Sequence, residues 1–154
     1  MSIKEKLSER GLSLPTASAP VAAFVPAVKS GNLIFTAGQL PVVDGKLVKE
    51  GKVGREITAE DAKELAQICA LNALAAISLV ADLDQVERVV RVGGFVNCAP
   101  GFIAIPGVVN GASELLIKIF GEVNGKHART AVGVAELPLN AAVEIELIVQ
   151  LRSL

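Results

Sequence analysis

The chain predicts an α+β domain in which two helices lie on one face of a β-sheet. Three observations point there. Short runs rich in Val, Ile and Leu, cut by Gly, Asn and Asp, precede the middle of the chain and follow it. Two stretches, about residues 59–81 and 109–120, carry apolar residues at three- and four-residue spacing. The run Ala142 to Leu151 alternates with period two. The resulting order is ββ(β)αβαββ within residues 1–154, with residues 1–18 as an N-terminal extension and no internal repeat or linker.

In chain order, residues 2–13 are charged and amphipathic, with Ile3 and Leu7 on a short helix that stops at Gly11-Leu12. Pro15, Pro20 and Pro26 keep the following segment extended. Val25–Val28 and Leu33–Thr36 flank Ser30-Gly31-Asn32, the punctuation of a hairpin. Asp44-Gly45 marks a second tight turn between Val42-Val43 and Leu47-Val48. Thr58, with Asp61 three residues on, is an N-cap for a helix whose stripe is Leu65, Cys69, Asn72, Ala76 and Leu79, widened by Ile68 and Ala73. So many alanines predict close packing on the sheet. Asp82-Leu83-Asp84 ends the helix, and Val86–Val96 is a strand loosened at Gly93-Gly94. Asn97–Gly107 is a loop by its Pro and Gly content. A second helix over about Val109–Phe120, with Gly121 near its C-cap, precedes strands at about Thr130–Glu136 and Ala142–Leu151.

Composition narrows the function classes. Lys+Arg 15 against Asp+Glu 16 leave a net charge of −1 with no stretch of one sign, so no footprint for nucleic acid or an anionic membrane exists. No Trp or Tyr and five Phe leave few platforms for stacking bases. The hydrophobic share, 51% with mean hydropathy +0.52, comes from Ala, Val, Leu and Ile, and predicts that apolar surface enters a subunit interface. The apolar run Ile68–Ala81 falls short of the ~20 residues of a membrane span, and the N-terminus has no secretory h-region. Cys69 and Cys98 suit free thiols in a reducing, cytoplasmic setting, and one histidine with no Cys/His pairing argues against metal. Phosphate-loop, dinucleotide, serine-elbow and zinc-helix motifs are absent, leaving a cofactor-free site.

Arg129 and Glu144 are the first candidates for that site. A guanidinium is a planar, permanently charged fork that matches a carboxylate, although a surface ion pair is its simpler reading. A carboxylate in a half-dry strand can act as general base on water, although the solvated face of an edge strand explains it equally. Alternation puts Glu144, Glu146, Ile148 and Gln150 on one face and Val143, Ile145, Leu147 and Val149 on the other. Asn110, at the start of the second helix, reads as an N-cap or a ligand-facing amide. Gly38 reads as a turn glycine or a ligand-facing backbone, Phe24 as core or pocket wall, and His127 as a surface loop residue.

At these positions the chain resembles the RidA/YjgF family of reactive intermediate imine deaminases, also called the endoribonuclease L-PSP family. The match runs from about Ala19 to Val149; its most specific pieces are ART-x-V-x-V-A-x-L-P at Ala128–Pro138 and VEIE at Val143–Glu146. GNLIFTAGQLP at residues 31–41 and VNGASELL at residues 109–116 add to it, and GFVNCAP looks like an extended subfamily. The resemblance implies a chorismate-mutase-like fold with a mixed sheet, and a homotrimer with helices outside and a ligand cleft at each subunit interface. It implies hydrolysis of 2-imino or enamino acids to 2-oxo acids and ammonia, with no metal or organic cofactor. Carried over by position, Arg129 would hold the substrate carboxylate, Glu144 position the attacking water, Asn110 line the cleft and Gly38 face the ligand. Where deaminating members carry a tyrosine, a serine and a cysteine, this chain has Phe24, Ala37 and Ala131. Those losses keep in view a non-catalytic protein that binds small carboxylates. A third reading, endoribonuclease or translation inhibitor, is disfavoured by charge and aromatic content.

Overall fold

A computed structural model describes residues 1–17 and 23–153; Ala19 and Pro20 lie outside them. Strands β1 (Ala27–Ser30), β2 (Leu33–Thr36), β5 (Val86–Asn97), β6 (Ala128–Val134) and β7 (Val143–Leu151) form one mixed sheet in the order β1-β2-β7-β5-β6. The β5–β6 pair is parallel and the other ladders are antiparallel. A two-stranded ribbon, β3 (Val42–Val43) with β4 (Lys46–Leu47), turns through Asp44 and Gly45, both at positive φ.

Helices α2 (Ala59–Ser78) and α3 (Ile105–Asn124) cover one face, burying Val143, Ile145, Leu147 and Val149 of β7 with Val89, Val92 and Val96 of β5. The β7 alternation is therefore real: its other face carries Glu144, Glu146, Ile148 and Gln150, all at least partly exposed. Thr58 caps α2 by accepting from the Asp61 amide at 3.1 Å. Eleven of its twenty residues are buried, mostly alanines and leucines. Leu79 is an exception to the predicted stripe: it is the C-cap and lies exposed, because the helix leaves the sheet there. Asn72 donates to the Leu40 and Val42 carbonyls at 2.9 and 3.0 Å, tying the β3 ribbon to α2.

Helix α1 (Ile3–Ser8) has a full capping box between Ser2 and Glu5, and it buries Ile3 and Leu7. The Ile3 amide donates to Asp84 and Lys6 donates to the Ile119 carbonyl, so the N-terminal segment is fastened to both ends of the β5–α3 unit.

Two glycine readings change. Gly93 and Gly94 do not loosen β5; both stay in register with β6 and β7. They are small because their space is taken: a Cβ on Gly94 would meet Val109 Cγ1 at 2.6 Å, and one on Gly93 would meet Glu146 Cγ at 2.8 Å. Gly111 does the same between helices, since a Cβ there would fall 1.9 Å from the Lys63 carbonyl oxygen of α2. Gly94 and Gly111 thus let α3 settle close to both the sheet and α2, which sets where its polar residues point. The second helix also starts earlier than its periodicity predicts, at Ile105, because Pro106 fits the first helical turn, where no amide proton is needed. It runs to Asn124 through a break at Gly121, whose φ is 92°. Strand β6 ends at Val134, two residues short of the predicted limit.

Candidate functional site

Arg129 is the second residue of β6, paired with Val92, a residue of the helix-covered face. Its side chain accordingly turns toward α3. Nη1 donates to Asn110 Oδ1 at 2.8 Å and to Ser113 Oγ at 3.1 Å, and Nη2 reaches the Pro106 carbonyl at 3.4 Å. No carboxylate lies within ion-pair distance of this guanidinium among the described residues, so the simple ion-pair reading does not hold. Asn110 is not an N-cap: the cap position is Ala104, and Asn110 sits more than one turn inside α3. Asn110 and Ser113 are three residues apart and share a face of that helix.

His127 does lie in the loop between α3 and β6, but it is half-buried rather than on the surface. Nδ1 lies 2.7 Å from the Gly125 carbonyl oxygen and Nε2 lies 2.9 Å from Ser113 Oγ. Burial holds its pKa below the ordinary imidazole value, the Arg129 charge adds to that, and the Gly125 carbonyl opposes it. Ser113 and His127 are the members that sequence reasoning missed. Their signal was spacing: His127 and Arg129 stand two apart, as residues on one strand face do, and Ser113 falls one turn after Asn110.

Glu144 belongs to a different place. It pairs with Phe95, three residues along β5 from Val92, and an odd interval reverses the face. Arg129 and Glu144 are therefore on opposite sides of the sheet, with Cα atoms roughly 14 Å apart by strand spacing and rise. Glu144 packs on Gly38: a Cβ there would land 2.1 Å from Oε2 and 2.7 Å from Cδ. The chain is held against β7 by Gln39, which exchanges backbone hydrogen bonds with Ile145 at 2.8 and 3.0 Å. Burial raises the Glu144 pKa above the usual carboxylate value and the Glu146 charge raises it further. Ala37 lies beside this group, its amide donating to the Pro26 carbonyl at 2.8 Å. Phe24, two residues before Pro26, leaves its ring more than half exposed at 55%. Ala131, paired with Gly94, is on the same face as Arg129.

The candidates therefore fall into two groups, Arg129–Asn110–Ala131 and Glu144–Gly38–Ala37–Phe24, that one chain does not bring together. Two hollows lie elsewhere. One of about 330 Å³ sits between α1, Glu87, Phe120 and Arg152, and one of about 80 Å³ lies on the open sheet face by Phe35, Arg91 and Glu146. No group of three potential metal ligands occurs among the described residues. Cys69 is buried, its thiol pKa pushed well up by burial, and Cys98 is partly buried and also raised; both are free.

Comparison with known proteins gives one family throughout. The profile of the YjgF/chorismate mutase-like family, whose description also carries an endoribonuclease label, matches residues 4–151. Protein TCP17 of Trypanosoma cruzi is 40% identical over 98% of this chain and 95% of its own length. A 2-iminobutanoate/2-iminopropanoate deaminase of Dermatophagoides farinae is 33% identical over 92% of this chain and 95% of its own. Among solved structures, Atu1372 of Agrobacterium tumefaciens, of unknown function, superposes with a TM-score of 0.87 at 42% identity, covering 97% of this chain and 91% of that one.

Proposed function

The chain belongs to the YjgF/chorismate mutase-like family, and on that premise we propose that it hydrolyses 2-imino or enamino acids to 2-oxo acids and ammonia in a cleft shared by two subunits. The observation that carries the reading is the division of the candidates between two sheet faces. Arg129 spends both Nη1 protons on Asn110 and Ser113 and one Nη2 proton on a long bond to the Pro106 carbonyl, which leaves Nε–H and the other Nη2 proton for a carboxylate. Glu144, held against Gly38 with a raised pKa, suits proton exchange with water. A second copy laid against the sheet edge brings one chain's Arg129 group beside the other's Glu144 group. Water then adds across the C=N bond, and collapse of the carbinolamine breaks the C–N bond to release ammonia.

Assembly has its own support. Val28, Phe35 and Val132, exposed by 51%, 41% and 39%, stand on the sheet face that no helix covers. A homotrimer with these faces inward and the helices outward would bury them. Among the described residues no helix is long and apolar enough to cross a membrane, and the free thiols suit the cytoplasm, where we place the protein's work.

The test is ammonia release from freshly generated 2-iminobutanoate or 2-iminopropanoate. Turnover above the spontaneous rate is expected, with at least a tenfold loss in Arg129→Ala; no acceleration, or an indifferent variant, defeats the reading. A second reading is favoured by Phe24, Ala37 and Ala131, which bring neither hydroxyl nor thiol to the two groups: the cleft would bind a small carboxylate, such as a 2-oxo acid, without turning it over. Thermal stabilisation by 2-oxobutanoate without ammonia release would select it.

A further inference from the structure

Around Arg129 the proton positions follow from the partners. The Gly125 carbonyl can only accept, so His127 Nδ1 carries a proton. In the neutral ring Nε2 then lacks one and accepts from the Ser113 hydroxyl. That leaves Ser113 Oγ with lone pairs alone toward Arg129, and Nη1 donates to it at 3.1 Å. The chain Arg129 → Ser113 → His127 → Gly125 runs in one direction, with every proton accounted for. Ser113 is buried at 7% exposure, so water does not readily substitute for it.

A proton on His127 breaks this order. Nε2–H would donate into Ser113 Oγ, the hydroxyl proton would lose its acceptor on the ring, and a second positive charge would stand beside the Arg129 guanidinium. The charged groups around the ring are few. Arg129 of β6 acts on it directly. From α3 the Ser113 hydroxyl faces it, from the preceding turn the Gly125 carbonyl, and in the flanking chain Glu122 and Lys126 pair with each other at 3.3 Å.

We propose that Ser113 and His127 are positioning residues for Arg129, a hydrogen-bond relay that presents the guanidinium to a carboxylate and releases it when the imidazole takes a proton. The inference rests on the reading of Arg129 as a carboxylate anchor and adds a regulator to it. Arg129 makes no hydrogen bond to Gly125 or to the ring, so His127 reaches it through the Ser113 hydroxyl and through its charge.

His127 is the sole histidine, so its ring nitrogens can be followed by NMR in the full-length chain without ambiguity. The relay requires the Nδ1–H tautomer at pH 7.5; the Nε2–H tautomer overturns it. Rotation of the Arg129 guanidinium should be slow in the wild type at pH 7.5. It should speed up about tenfold in Ser113→Ala, the loss of one hydrogen bond to a charged group, and in the wild type once His127 is protonated. Unchanged rotation in both overturns the proposal. Affinity for 2-oxobutanoate, whose carboxylate stays ionised throughout, should fall about tenfold in Ser113→Ala and in the wild type between pH 7.5 and 5. His127→Gln, whose amide can accept from Ser113 and donate to Gly125 without titrating, should bind better than His127→Ala and lose that pH dependence; tighter binding at pH 5 sinks the idea. Should 2-oxobutanoate fail to bind the wild type at all, the carboxylate reading falls, while the tautomer and the guanidinium rotation still decide the relay.

Discussion

The two faces of the sheet hold the two halves of the candidate site in different ways. Arg129 is held by hydrogen bonds from a helix: Asn110, Ser113 and Pro106 surround its guanidinium, and Gly94 and Gly111 let that helix come close enough to do so. Glu144 is held by packing: its carboxylate rests on the bare Cα of Gly38, with no recorded hydrogen bond among the described residues, and with burial and Glu146 both working against its charge. The contrast suits a division of labour. A charge meant to bind a carboxylate is best pre-oriented, whereas a carboxyl meant to exchange protons gains from a site that penalises its ionised form.

The largest effect should come from joining the halves across subunits. Arg129→Ala and Glu144→Gln homo-oligomers should each be nearly inactive in ammonia release. After unfolding and co-refolding in equal amounts, roughly a quarter of wild-type turnover should return, the statistical share of interfaces with both halves intact. Recovery of nothing would mean that the halves do not meet across an interface. A smaller effect sharpens the Glu144 half alone. Gly38→Ala places a methyl 2.1 Å from Glu144 Oε2, forcing the carboxylate aside, and should lower kcat about 10–100-fold, because displacements of about an ångström cost that much, while 2-oxobutanoate affinity stays with Arg129 and moves little. Equal losses in both would show that the two halves are coupled.

The smallest effect concerns stability and pH. A carboxyl whose folded pKa is raised favours the folded state when protonated, and that contribution is lost as pH rises through the raised value. Glu144→Gln should therefore melt slightly higher than the wild type at pH 7. The difference should close as pH falls below the ordinary carboxylate value. His127 has the opposite sign: its depressed pKa gives stability above about pH 6.5 that is lost as pH falls toward the folded value.

Much of this architecture was legible in local chemistry. Thr58 with Asp61, Asp44-Gly45 and Ser30-Gly31-Asn32 each act over a few residues, and each forms the cap or turn its chemistry calls for. The β7 alternation sorted its residues between faces correctly because side chains on a strand cannot do otherwise. Misplaced features depended on neighbours distant in sequence. Gly93-Gly94 looked like a weak strand because Val109 and Glu146, which need the space, are 15 and 53 residues away. Asn110 looked like a cap because Pro106 read as a helix breaker, when it sits in the first turn.

By itself, then, the sequence determined the family, the α+β class and the residue types available for chemistry, because periodicity, caps and turns are short-range and the ART and VEIE segments are specific. Tertiary structure decided which of those residues meet. Register on β5 put Arg129 and Glu144 on opposite faces, an outcome of strand pairing that no spacing between positions 129 and 144 reveals. Close packing of α3 drew Asn110, Ser113 and His127 around the arginine. Sequence separation sets neither, since both follow from how helix and sheet surfaces exclude one another's volume.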